Sequence, residues 1–129
     1  MRFPQKTADK KVVEELKYIT GSDIDDCYQC LKCTSGCPLV EFMDYYPHQV
    51  MLYAKLRMFD KILESKTLWI CASCLACSCR CPRDLDPAQV MEGIRVMLIR
   101  ERGIDNIEFV APKGLPRQAI MAFMRKSGR

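Results

Sequence analysis

The sequence holds one histidine, one tryptophan and six glycines in 129 residues. A single histidine leaves no nucleophile–base pair to argue for. The glycines form neither a G-x-G-x-x-G turn nor a P-loop, which excludes the common phosphate cradles. No apolar run is long enough to cross a bilayer. The most apolar stretch, Val90 to Ile99, is cut by Glu92, Gly93 and Arg95. The opening Met1-Arg2-Phe3-Pro4-Gln5-Lys6 lacks the apolar block of a secretory signal. A cytoplasmic protein without membrane insertion is therefore expected. Strand-like alternation, low-complexity segments and long linkers are also missing. With 49% hydrophobic and 28% charged residues, the chain fits one domain spanning 1–129.

What remains is helical. Val12, Val13, Leu16 and Ile19 recur at helical spacing over residues 7–20, with Thr7 able to cap the start and Gly21 the end. Pro38 suits the first turn of a second helix. After Tyr45-Tyr46-Pro47 the pattern predicts one helix from His48 to about Ser65. Its stripes are Met51, Ala54, Met58, Ile62 and Leu52, Leu56, Phe59, Leu63, so it packs on two sides. Asp86 followed by Pro87 reads as an N-cap with Pro at the first helical position. That helix runs to about Arg102, stops at Gly103, and buries Val90, Met91, Ile94, Met97 and Leu98. Residues 104–114 read as irregular, and a last short helix spans Pro116 to Lys126. The expected class is all-α.

Cysteine is the one abundant reactive residue, with nine copies. An odd number in a chain with no export signal favours metal binding over disulfides. The first group is Cys27-Tyr-Gln-Cys30-Leu-Lys-Cys33-Thr-Ser-Gly-Cys37-Pro38. The second is Cys71-Ala-Ser-Cys74-Leu-Ala-Cys77-Ser-Cys79-Arg-Cys81-Pro82. Both contain C-x-x-C-x-x-C-x-x-x-C-P, the ferredoxin-type run that binds [4Fe–4S] clusters. Three evenly spaced thiolates wrap one cubane, and the fourth reaches the other. The expected sets are crossed: Cys27, Cys30, Cys33 and Cys81 for the first cluster, and Cys71, Cys74, Cys77 and Cys37 for the second. Structural zinc also takes four sulfurs, but it usually joins two separated C-x-x-C pairs. Each group is followed by proline and a helical segment, so the sequence repeats internally. Cys79 is the extra thiol; equal spacing favours Cys77 as the ligand.

Two such centres alter the charge balance. Each carries about −2 once four thiolates meet an oxidised core, which cancels the formal +4. The basic excess is then poor evidence for nucleic-acid binding. His48 reads as a polar helix-start residue. Tyr28, within the first group, and Trp69, just before the second, read as either cluster shields or core residues. The basic end, Arg117, Arg125, Lys126 and Arg129, reads first as a solvated face and second as a dock for an acidic partner.

A helical spacer, Pro38 to Ile70, separates the two groups. That is similar to the α-helical ferredoxin of succinate dehydrogenase iron–sulfur subunits. The sequence more closely resembles the C-type subunits of heterodisulfide reductase. The first cysteine group, Leu68-Trp69-Ile70-Cys71-Ala-Ser-Cys74, and Cys81-Pro82 with Val90 to Ile99 carry the likeness, over roughly residues 20–102. The tail from Leu115 also resembles the family's end. The resemblance implies a non-catalytic electron-relay subunit of an oxidoreductase acting on sulfur groups. It implies relay between a flavin-containing A-type subunit and a cysteine-rich B-type subunit that reduces the disulfide. The Cys-Cys pairs of that B-type subunit are absent here. A free-standing dicluster carrier is the alternative.

Overall fold

The computed structural model describes residues 8–103 and 111–127. Among them all regular structure is helical. In chain order the helices are α1 (Ala8–Thr20), α2 (Lys32–Ser35), α3 (Pro47–Lys55), α4 (Phe59–Leu63), α5 (Thr67–Ile70), α6 (Ala76–Arg80), α7 (Pro87–Arg102) and α8 (Arg117–Ser127). Two 3₁₀ turns, Ile24–Asp26 and Val40–Phe42, complete them. Among the described residues no helix is long and apolar enough to cross a membrane.

The capping logic of the sequence holds at the end of α1 and at both ends of α7. α1 ends at Gly21, whose φ is +68°, and whose N–H bonds to the Lys17 carbonyl at 2.8 Å. The Asp86 carboxylate accepts from the Gln89 N–H at 3.2 Å, Pro87 opens α7, and Gly103 closes it. Four of the five expected core residues of α7 are buried: Val90, Met91, Ile94 and Leu98; Met97 is partly covered. α8 runs one residue later at each end than the pattern suggests. The expected cap Thr7 and most of the irregular 104–114 segment, residues 104–110, lie outside the described residues.

Two expectations need correction. No α-helix follows Pro38; a turn and the 3₁₀ segment occupy that stretch, and Leu39 and Met43 enter the core. Pro47 forces Tyr46 into an extended conformation (ψ 157°), so an α-helix from Pro38 has nowhere to continue. The helix expected over 48–65 is two helices. Arg57 sits in the left-handed region (φ +61°) and breaks it. Its guanidinium pairs with Asp25 at 2.9 Å and donates to the carbonyls of Ala54 and Lys55, which offsets the strain. The break explains the double stripe. Val50, Met51, Ala54, Phe59 and Ile62 are buried, whereas Leu56 and Met58 stay exposed.

One contiguous apolar core runs from Leu16 on α1, through α3, α4, α5 and α7, to Ala119 on α8. α1 crosses α7 at Gly93, where an added Cβ would lie 2.7 Å from Leu16 Cδ1. The two cysteine segments meet where α2 packs against α6, with Cys71 in the core and Cys27, Cys37 and Cys81 packed against it.

Candidate iron–sulfur centres

Each cysteine loop is entered from a short helix whose closing residue is the first cysteine: Cys27 after Ile24–Asp26, and Cys71 after α5. Three residues before each, Ile24 and Leu68 are buried and anchor the entry. Gln29 (φ +60°) and Leu31 (φ +66°) are left-handed in the first loop; Ser73 (φ +55°) and Leu75 (φ +62°) take the same positions in the second. Such residues cost roughly 1 kcal/mol or more each. A backbone that alternates left-handed with ordinary residues turns successive N–H groups to one side and suits an anion. The internal repeat is thus a repeat of conformation as well as of cysteine spacing.

The second expected ligand set is brought together. Cys37, Cys71, Cys74 and Cys77 line one cleft, walled by Leu39, Met43, Ala88 and Met91. Cys37, from the first segment, lies close enough to Cys71 and Cys74 for their charges to oppose its ionisation. Cys79 is exposed and is not among the cleft's lining residues. In the first set, Cys27 and Cys30 act on Cys33 in the same way. The Cys81 end approaches this set through Arg83, whose guanidinium lies 3.8 Å from Asp26, the residue before Cys27. The segments touch at Gly36, where a Cβ would fall 2.5 Å from the Arg80 side chain.

Burial raises the Cys33 and Cys37 thiols, and raises Cys77 to about 11. Buried thiols of this kind become thiolates when a cationic core takes the place of the proton. Among the described residues, no three His, Cys, Asp or Glu side chains converge as a single metal ion requires. Four sulfurs around an apolar cleft suit a larger group, and the donor set fits a cubane.

Sequence reasoning missed the cations behind these loops. Lys55 Nζ donates to the Cys27 carbonyl at 2.8 Å. Arg95 donates to the Cys71 carbonyl at 3.3 Å and to the Leu68 carbonyl at 2.8 Å. Each cation is the ninth residue of a helix that opens with proline, Pro47 or Pro87, so the shared spacing was a legible signal. Arg95 is only 1% exposed; it also binds Ser73 Oγ at 3.1 Å and pairs with Glu92. Lys126 on α8 has a buried Nζ with no hydrogen-bond partner. Burial and the nearby Arg95 lower its pKa to about 8.

The remaining candidates settle into ordinary roles. His48 Nδ1 lies 2.7 Å from Thr34 Oγ1, which also accepts the His48 N–H at 3.1 Å. That contact ties the start of α3 to the residue after Cys33. Trp69 is buried in the core, whereas Tyr28 is 59% exposed.

Fold and site together define an all-α iron–sulfur protein, and residues 26–86 match the family model of the 4Fe-4S dicluster domain. The chain carries two [4Fe–4S] clusters. It is 34% identical over 97 residues to the C-type subunit of the ferredoxin:CoB-CoM heterodisulfide reductase of Methanosarcina acetivorans, covering 74% of this chain and 38% of that one. It is 32% identical over 120 residues to the C-type subunit of the H(2):CoB-CoM heterodisulfide,ferredoxin reductase of Methanothermobacter marburgensis, covering 93% and 60%. A protein of Archaeoglobus profundus, named for its likeness to the C-type subunits of heterodisulfide reductase, is 30% identical over 117 residues, covering 90% and 62%. These proteins, named as C-type subunits of heterodisulfide reductases or for their likeness to them, are homologues of the chain. The chain spans about 40 to 60% of the length of such curated relatives.

Proposed function

We propose that the chain is the electron-relay subunit of a cytoplasmic heterodisulfide-reductase-like complex, and that it is one domain. It would pass electrons from a flavin-containing A-type subunit to a cysteine-rich, disulfide-reducing B-type subunit. The clusters, when bound, supply one-electron storage at two neighbouring points. The chain's own residues hold them, insulate them and present them. Cys27, Cys30, Cys33 and Cys81 bind the first; Cys71, Cys74, Cys77 and Cys37 bind the second. Leu39, Met43, Ala88 and Met91 keep water from the second.

The observation that carries the subunit reading is the outer face of the loops. Leu31 and Leu75, at matched positions, are 50% and 46% exposed, and Tyr28 beside Leu31 is 59% exposed. Apolar side chains left uncovered at both centres suit partners that cover them. A freely diffusing carrier has less reason to expose them.

The test begins with anaerobic purification of the full chain. Iron and acid-labile sulfide at about eight each per chain are expected, and a zinc-only protein would refute the reading. Cys37→Ser should lose the centre of the second loop, and Cys81→Ser that of the first, as read by electron paramagnetic resonance. Loss of each variant's own-loop centre would refute the crossing. Native extracts should yield the chain bound to a flavoprotein and a cysteine-rich partner. A lone monomer there would favour the carrier.

A further inference from the structure

The two centres sit in the same local fold but in different electrostatic surroundings. Behind the first stands Lys55, half-buried, on the Cys27 carbonyl. Around it lie Asp25 and Asp26, each more than half exposed and each paired with an arginine, Arg57 or Arg83. Behind the second stands Arg95, fully buried, on the Cys71 carbonyl. A second basic residue, Lys126, stands on α8, which packs against α5 at the entry to the second loop; its Nζ is buried and unpartnered and lies within electrostatic reach of Arg95 and Cys71. Glu92, half-exposed, is the acid paired with Arg95. Cys71 is also the most buried cysteine.

We propose that Arg95 and Lys126 make the second centre the more oxidising of the two, so that an electron delivered to the chain rests at the centre of Cys37, Cys71, Cys74 and Cys77. The inference rests on the ligand sets proposed above. Its physics is charge placement. Reduction adds one negative charge to a site that already carries about −2. A buried cation, shielded little by water, stabilises that charge more than a half-exposed one does. Arg95 gives hydrogen bonds to the Leu68 and Cys71 carbonyls and Ser73, but its Nε has no partner. Lys126 Nζ gives none. Both cations therefore have free donor capacity at the back of the second site. The exchange balances as one electron: the first centre is oxidised by one as the second is reduced by one. An external one-electron reductant supplies the electron, and no proton need move.

Potentiometric titration of the loaded full chain, followed by electron paramagnetic resonance, tests this. Cys77→Ser identifies which signal belongs to the second centre. That signal should develop first as the potential is lowered. Lys126→Met, which keeps the side chain's bulk, should lower its midpoint by at least a tenfold change in the reduction equilibrium, about 59 mV for one electron. Lys126→Arg should restore it. Glu92→Gln should raise it, and this variant decides the matter if Lys126→Met does not load. The inference is overturned if the first centre reduces first. It is also overturned if neither Lys126→Met nor Glu92→Gln moves the second midpoint in a fully loaded protein. A wild-type chain that binds no clusters fails the functional reading itself, which iron analysis reveals separately.

Discussion

Replacing Asp44 by alanine should loosen the joint between the two halves of the site without touching a cysteine. Asp44 follows the first cysteine segment, yet its carboxylate serves the entrance to the second. It accepts from Ser65 Oγ at 2.8 Å, the Lys66 N–H at 3.0 Å, the Thr67 N–H at 3.1 Å and Thr67 Oγ1 at 2.7 Å. The Tyr45 N–H adds a bond at 3.0 Å. Burial pushes the carboxyl pKa up, but these hydrogen bonds outweigh it and bring it from 3.8 to about 2. Taken at face value the shift is worth about 2.5 kcal/mol. The carboxylate is largely exposed, so solvent screening reduces this to about 1 kcal/mol. Thr67 is fully buried. Its N–H and hydroxyl keep alternatives in Ser65 Oγ at 3.0 Å and the Tyr45 carbonyl at 2.6 Å, so losing Asp44 adds at most about 1 kcal/mol. Asp44→Ala should therefore cost up to about 2 kcal/mol, and Asp44→Asn, which keeps one acceptor oxygen, about half that. The contribution of a depressed carboxyl is complete above its unfolded value near 3.8 and is lost as pH falls through about 2. Anaerobic urea denaturation of the loaded protein at neutral pH thus reads all of it. An unchanged midpoint for Asp44→Ala, or an equal loss for Asp44→Asn, would refute the reasoning.

Cys79→Ser should keep both resonance signals, whereas Cys77→Ser should lose one; the reverse would make Cys79 the ligand. Gly93→Ala drives a Cβ to 2.7 Å from Leu16 Cδ1. Overpacking of about 1–3 kcal/mol should exceed the helix gain of about 1 kcal/mol, for a net loss of about 1 kcal/mol. Adding Leu16→Val should recover part of that loss in the same denaturation assay. Burial lowers the His48 pKa below 6.5. Its contribution is then present above 6.5 and fades as pH falls toward the folded value. Thermal unfolding should show stability falling through this window, with a flatter profile for His48→Gln.

The cysteine runs, the internal repeat and the proline- and glycine-bounded α7 were legible because their signals are local. Thiol spacing, an N-cap aspartate and a left-handed glycine act within a few residues of where they stand. Arg57, Asp44 and Lys126 were not legible, and the spacing of Arg95 from Pro87 showed its place but not its role, because the worth of each depends on a group far along the chain. Arg57 ends a helix because Asp25 waits across the fold. In the sequence, Arg95 merely interrupts an apolar stretch; in the fold, α5 and the second loop close over it and use its donors. Sequence alone thus determined that two cubanes bind and which thiols are available to them. Tertiary structure decided the rest: among the described residues, the arginine behind the second loop is fully buried, whereas the lysine behind the first is half-buried. Charge and hydrogen bonding act through space, and only the packed chain sets those distances.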